Sequence, residues 1–557
     1  MLLGIDVGGT HTDAVLIEGT RVVEKAKVLT NQDDLSLSLL AVTEATLHNT
    51  KPEELERVVL STTISTNAIV QNRTSPVGMI LASGPGLSPS MLTINEHCHF
   101  VSGYVNHRGI PVTPIDRDEV KNIGVAFKES GIEHLGIVGK FSSRNPRIEL
   151  DIEEAVDFSF RHCSLGHQMS GNLNFPRRIA TTYLNASIWD LYGKFVEVIS
   201  TFVSQFHAHF PIYVLKADGG TFEIHQSAQY PAQTILSGPA ASIMGILSLT
   251  HSADDAVALD IGGTTTDIAI FADGTPLLEP LGVTIVGHKT LIRGLRTRSI
   301  GVGGDSAVLY DEKGFHIGPQ RKGPAAAFGG PCATPTDAMI VLGLTTIGAR
   351  EKAQAAIDTL AGKAHQSVEE TALHIFEATC RHIATAVKHM IEDVNNKPVY
   401  TIHELLEGKR VIPKILCAVG GPAEPMAPRI SELLELPVTI PEHAEVANAI
   451  GAALARTTTE LTILADTEKR TVTVVEKGLQ ISITAGFTRD DAIQMCREHL
   501  RERALTMGAG EEDLAMEITE DQLFNMIRGY STVGQNIRIK GQVKPGLISL
   551  HDKGGAR

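Results

Sequence analysis

The feature that most constrains this chain is an internal repeat separated by some 250 residues. Residues 4–17 read Gly-Ile-Asp-Val-Gly-Gly-Thr-His-Thr-Asp-Ala-Val-Leu-Ile, and residues 258–271 read Ala-Leu-Asp-Ile-Gly-Gly-Thr-Thr-Thr-Asp-Ile-Ala-Ile-Phe. Six of the fourteen positions are identical, and they are the Asp, Gly, Gly, Thr, Thr and Asp. Most of the remaining positions are apolar in both. A spacing this long is a duplicated domain, not a solenoid. Each copy is an apolar run, a Gly-Gly turn and a second apolar run with β-branched residues, which is strand, turn, strand. The common phosphate loops run strand, loop, helix, and neither Gly-x-Gly-x-x-Gly nor a Gly-Lys-Ser/Thr ending occurs here. Those fold classes are disfavoured.

A Gly-Gly tip lets backbone come close to a ligand and aim consecutive N–H groups at it, which makes an anion cradle. Thr10 and Thr264 place a hydroxyl beside each turn. Asp6 and Asp260 end the first strand of each copy, where a carboxylate can hold Mg²⁺ through water, since magnesium uses one or two carboxylates plus phosphate oxygens. Two such hairpins facing each other would clamp a polyphosphate. Gly420-Gly421-Pro422 follows an apolar strand and precedes a helix, which suits close approach of a base or ribose. The candidate catalytic and metal-holding residues are Asp6 and Asp260. The candidate nucleotide-binding residues are Gly8, Gly9, Thr10, Gly262, Gly263, Thr264, Thr265, Gly420 and Gly421.

The pattern predicts helices at 35–48, 117–130, 180–207, 239–249, 350–360, 367–394, 424–435 and 444–456. Strands are expected at 57–61, 77–81, 132–138, 212–215 and 415–419. The helices at 239–249 and 444–456 are rich in Ala, Gly and Ser, which lets helices cross closely, as a hinge between lobes needs. With 557 residues, 43% hydrophobic and 20% charged, there is apolar material for several cores. A net charge of −15 argues against a nucleic-acid or anionic-membrane surface. No run approaches the roughly 18 apolar residues of a membrane helix. The start Met1-Leu2-Leu3-Gly4 has no basic n-region. Six scattered cysteines without Cys-x-x-Cys spacing read as reduced thiols in a cytoplasm. Glu96-His97-Cys98-His99 could ligate a metal, but such a cluster is more often a partly buried loop.

Further motifs carry a family resemblance: Ser61-Thr-Thr-Ile-Ser-Thr-Asn-Ala, Lys216-Ala-Asp-Gly-Gly, Leu236-Ser-Gly-Pro-Ala-Ala-Ser, Ser299-Ile-Gly-Val-Gly-Gly-Asp-Ser and Thr336-Asp-Ala. With the two hairpins, and in this order over about residues 1–456, they resemble the A-type subunits of the hydantoinase/oxoprolinase family. That family lies within the superfamily of actin, sugar kinases and heat-shock chaperones. The resemblance implies an α/β fold of duplicated RNase H-like (actin-like ATPase) lobes with an inserted α/β subdomain and a small C-terminal α+β tail. The expected division is a first lobe at 1–250 with the insertion at about 76–165, a second lobe at 251–443, and a C-terminal region at 444–557. It further implies ATP and Mg²⁺ as cofactors, with Asp6 and Asp260 on the magnesium and the Gly-Gly-Thr turns on the phosphates.

The expected activity is ATP-dependent hydrolysis of a small cyclic amide such as a hydantoin, oxoproline or other lactam, through phosphorylation of its carbonyl oxygen. A second, B-type subunit is the expected partner. The alternatives are an ATP-dependent carboxylase component and a chaperone-like reactivating ATPase. Aligned on the chaperones, Gly238 stands where those proteins carry an acid; Asp218, Asp267 and Asp305 are the other candidates for a general base.

Overall fold

The computed structural model describes residues 1–9, 11–19, 21–31, 34–156, 160–204, 210–250, 254–312, 314–396 and 410–549. The chain forms two compact units. One comprises 1–240, 278–294 and 452–557, the other 241–277 and 295–451.

In the first unit, Leu2–Val7 is buried along its whole length because it lies inside a six-stranded sheet. It pairs antiparallel with His11–Glu18 and parallel with Arg57–Thr62. Arg21–Leu29 lies at the sheet edge and alternates between half-buried and exposed residues, as an edge strand with one solvated face does. On the other side come Ile212–Leu215, parallel to Arg57–Thr62, and Thr221–Glu223. Apolar side chains of Leu35–Leu47 and Trp189–Ser204 pack with these strands in one core that holds Leu3, Ile5, Leu60, Tyr192 and Ile199.

Between Arg57–Thr62 and Ile212–Leu215 sits a separate four-stranded parallel sheet built from Val77–Ala82, Cys98–Phe100, His134–Gly139 and His162–Leu165. Its core includes Val120 and Phe127 of helix Arg117–Glu129 and Ile148 and Ile152 of Arg147–Ala155. The C-terminal part of the unit is a five-stranded antiparallel sheet with helix Arg489–Thr506 packed on it through Ala492, Cys496, Leu500 and Ala504. That helix opens with a reciprocal capping box between Thr488 and Asp491.

The second unit repeats the plan. Ala256–Ile261 pairs antiparallel with Thr266–Ala272 and parallel with Ile415–Val419. Helices Val368–Asn395 and Ala423–Leu434 pack with this sheet through Phe376, Ile383, Met426 and Ile430. The register repeats too: Asp6 lies opposite Asp13, and Asp260 opposite Asp267. An antiparallel hairpin continued by parallel strands, present twice, is the RNase H-like core of the actin-like ATPases.

Two predicted helices differ from the expectation. The 180–207 segment is two helices, Phe175–Ser187 and Trp189–Ser204, separated at the buried Ile188. The 444–456 segment is a short 3₁₀ turn, Ala444–Val446, followed by Ala447–Leu454. The close helix crossing holds. A Cβ on Gly245 would meet the Ala447 carbonyl, and one on Gly451 would meet that of Ala241.

Candidate functional site

Both hairpins close in the same way. The Gly8 amide donates to the His11 carbonyl at 3.0 Å, and the Gly262 amide to that of Thr265 at 2.9 Å. These two N–H groups hold the turns, so an anion cradle must use the amides after them. In the second copy those amides have a defined direction. The Gly262 carbonyl accepts from the Gly304 amide at 3.0 Å and the Gly263 carbonyl from the Asp305 amide at 2.6 Å. Within a planar trans peptide the N–H points opposite to the C=O. The Gly263 and Thr264 amides therefore face away from the 303–305 loop, side by side. In the first copy the Gly8 carbonyl accepts from Thr30 Oγ1 at 2.9 Å, and Thr10 lies outside the described residues.

The motif loops gather at the hairpins of their own units. In the first unit, a Cβ on Gly9 would lie 4.0 Å from Asn67 Nδ2, and Ser237 Oγ donates to the Thr62 carbonyl at 2.8 Å. In the second, a Cβ on Gly303 would strike the Gly262 carbonyl, and one on Gly304 would lie 2.7 Å from Pro422 Cγ. Gly420 has φ +99°, a conformation that favours glycine, and a Cβ there would meet the Ile261 carbonyl and sit 2.8 Å from Asp260 Oδ1. Gly421, beside it, faces open space. Thus Asp260, Gly262, Gly263 and Gly420 share one end of one sheet. Replacing Gly420 by Ala is expected to destabilise the protein by about 2–4 kcal/mol, combining strain at positive φ with overpacking. Urea unfolding checks it, and an unchanged midpoint contradicts the packing described.

The electrostatics of the two copies differ. Asp13 is paired with Lys27 Nζ at 2.8 Å. Its counterpart Asp267 accepts a short hydrogen bond from Ser299 Oγ and has its carboxyl pushed up to about 6 by burial, with Asp260 adding to the rise. Asp260 is itself held above the usual carboxylate range by burial, against a 2.5 Å hydrogen bond from Ser242 Oγ. No cationic side chain is among the interactions that set either group. Two half-buried, adjacent, hard oxygen donors fit Mg²⁺, which would offset their desolvation and mutual repulsion.

The other candidates separate. Asp218 is fully buried in the first unit, held by Thr458 Oγ1 at 2.8 Å and the Gly220 amide at 3.0 Å, with Lys216 and Arg293 alongside. Asp305 stays near the second hairpin, ion-paired to Arg321 at 2.9 Å. The Thr336-Asp-Ala motif has a structural role, since Asp337 accepts from the amides of Ala326, Ala327 and Thr334. The Glu96–His99 cluster does not converge: Cys98 and His99 are adjacent in a strand, and His99 packs edge-on against Phe127. Among the described residues, Glu133, His134 and Asp190 bring their ligand atoms together, but Arg161 Nη1 already sits 3.5 Å from Glu133 and 3.3 Å from Asp190.

Sequence reasoning gave no role to Ser242 and Ser299. Both come to the carboxylates through tertiary structure, one from the helix Ser237–Thr250 and one from the strand Thr297–Ile300 that pairs with Thr266–Ala272.

Comparison with known proteins gives three findings. A family model described as hydantoinase/oxoprolinase matches residues 178–461, and one described as hydantoinase/oxoprolinase N-terminal region matches 2–158. The caprolactamase subunit alpha of Pseudomonas jessenii is 25% identical over 67% of this chain and 60% of its own. The acetophenone carboxylase gamma subunit of Aromatoleum aromaticum is 23% identical over 61% of this chain and 53% of its own. The chain thus spans little more than half the length of these relatives. A crystal structure of the ATP-dependent caprolactamase from Pseudomonas jessenii superposes with a TM-score of 0.73 at 19% identity, covering 97% of this chain and 87% of that one. At that identity the likeness shows the fold. Among the described residues, no helix is long and apolar enough to cross a membrane.

Proposed function

Because the chain belongs to the hydantoinase/oxoprolinase family, we propose that it is an ATP-dependent hydrolase of a small cyclic amide, acting by phosphorylation of the carbonyl oxygen. The observation that carries this reading is the Asp260–Asp267 pair beside the outward-facing Gly263 and Thr264 amides. It offers two carboxylates for a divalent cation next to two donors for phosphate oxygens. The relative whose structure is described as an ATP-dependent caprolactamase supports a lactam as substrate.

In this reading Asp260, with Asp267 beside it, would hold Mg²⁺, which would supply charge neutralisation to the transferred phosphoryl group. The Gly263 and Thr264 amides orient the terminal phosphate. Gly420 and Gly421 leave room for the nucleoside. The amide carbonyl oxygen attacks the γ-phosphorus, giving ADP and an O-phosphorylated imidate. Water adds at carbon, the C–N bond breaks to free the amine, and the resulting acyl phosphate is hydrolysed at carbon to carboxylate and phosphate. Both relatives above are named as subunits, which supports a second subunit as partner. The carboxylase relative keeps a second reading open, in which a ketone or bicarbonate oxygen is phosphorylated instead. ATP turnover with a panel of lactams, hydantoins, ketones and bicarbonate separates the two.

A pH dependence follows. Asp267 is raised from its ordinary 3.8 to about 6, so the folded state holds its proton more firmly than the unfolded chain does. That contribution to stability is present at low pH and is lost as pH rises through about 6. Mg²⁺ has to displace the proton, so its stabilisation of the protein should grow between about pH 5 and 7 and then level off. Thermal unfolding with and without Mg²⁺ across that range measures it. Stabilisation independent of pH contradicts the assignment of Asp267.

A further inference from the structure

The first unit holds a cavity of about 50 Å³ whose wall carries Lys216, Asp218, Arg293, Glu460, Glu476 and Arg503. Charges this deeply buried are costly unless paired, and they concentrate at functional sites. Lys216 is 5% exposed, Asp218 3% and Arg293 14%. We infer that this cavity is a binding site for a small planar oxyanion, a carboxylate or bicarbonate, gripped by Arg293 and Lys216.

Donors outnumber acceptors in this wall. The acids are already satisfied by the protein. Asp218 accepts from Thr458 Oγ1 and the Gly220 amide and is flanked by both cations. Glu460 is paired with Lys540 at 2.9 Å. Glu476 accepts from the amides of Gly171 and Thr462 and from Thr462 Oγ1. The cations are satisfied only in part: Arg293 Nη2 donates to the Val543 carbonyl at 3.4 Å and Arg503 Nε to Thr459 Oγ1 at 3.0 Å. Nε and Nη1 of Arg293 are buried, and no protein group accepts a hydrogen bond from either. Nη1 lies 3.2 Å from Asp218 Oδ2 without hydrogen-bond alignment. The Lys216 ammonium, with three donors, gives one to the Thr458 carbonyl at 2.7 Å.

Four cations, counting Lys540, meet three acids, and burial with the nearby Glu460 drives Glu476 toward its neutral form. The surplus is positive, and what the cavity lacks is an acceptor. Burial lowers Lys216 to about 8, a cost that a bound anion would relieve. The volume holds about three or four water-sized groups, which suits a molecule of that many heavy atoms. A planar guanidinium edge is matched by two oxygens in a plane.

The test uses ¹³C-labelled formate, acetate and bicarbonate, each titrated into the full chain at constant ionic strength with chloride as the balancing anion. Line broadening of the labelled carbon reads binding. Saturable binding with a Kd of about 1 mM or below is expected for at least one of them. Binding of formate and acetate identifies a carboxylate site, and binding of bicarbonate alone a carbonate site. Arg293→Lys, which keeps the charge but not the fork, should weaken binding at least tenfold. Ala232→Val, which keeps every charge but takes up space in the wall, should do the same. Both variants should keep the wild-type circular dichroism and Mg-ATP affinity, so the outcome is separate from that of the proposed ATP reaction. The inference is overturned if none of the three anions saturates by about 50 mM, a weaker limit than any specific site of this size sets. It is equally overturned if both folded variants bind as the wild type does.

Discussion

Asp260→Asn is expected to lower Mg-ATP turnover by at least about 10²-fold, the scale on which single electrostatic contacts act in phosphoryl transfer. The substitution keeps the shape of the side chain and removes the charge that a divalent cation needs. The same change should leave stability unchanged or raise it slightly, because the folded protein bears a cost for keeping this carboxylate partly desolvated beside Asp267. Lost activity with retained stability is the signature of a group held for function and not for folding. Asp6→Asn should lower turnover as well, since Asp6 occupies the same register position in the first copy. Titration calorimetry with Mg-ATP and a chevron or urea melt measure both halves. Wild-type affinity and turnover in both variants contradicts the site.

Substrate should raise ATP turnover at least tenfold over a slow basal rate. Water is a poor nucleophile and gains about 10²–10⁴ in rate from a general base. Gly238 has no side chain to serve as one, and Asp218 is enclosed among Lys216, Arg293 and Thr458. An amide carbonyl oxygen already bears partial negative charge and has no proton to lose before it attacks phosphorus. With Asp267 assigned to the metal and Asp305 paired to Arg321, a carbonyl acceptor is favoured over water. Fast ATP hydrolysis by the pure chain without any carbonyl compound contradicts this, and points to Asp305 or Asp267, the carboxylates nearest the second hairpin, as base.

Local pattern made much of the fold legible. The strands Ile212–Leu215 and Ile415–Val419 stand at the predicted residues, and both hairpins close at their Gly-Gly tips. These segments are short, strongly apolar and bounded by turn residues, so tertiary packing has little freedom to move them. Helical spacing over 180–207 read as one element, because the apolar residues on either side of Ile188 keep the same period while the backbone turns there. The site was legible where it is local, as with Asp260 and the glycines around it. It was not legible where charge depends on distant partners. Nothing in the two repeats distinguishes Asp13 from Asp267, yet Lys27 pairs with one, while burial and Asp260 raise the pKa of the other against a hydrogen bond from Ser299. The cavity charges come from 216–218, 293, 460–476 and 503, segments with no common pattern.

The central claim is that ATP phosphorylates the carbonyl oxygen of the substrate, and the fate of that oxygen tests it most directly. A cyclic amide that stimulates turnover is labelled with ¹⁸O at its carbonyl and converted with Mg-ATP, together with the second subunit where turnover requires it. If the oxygen attacks γ-phosphorus and water later attacks carbon, the released inorganic phosphate carries the label, one atom for each ring opened. Phosphate free of label, with all ¹⁸O retained in the product carboxylate, would contradict the account.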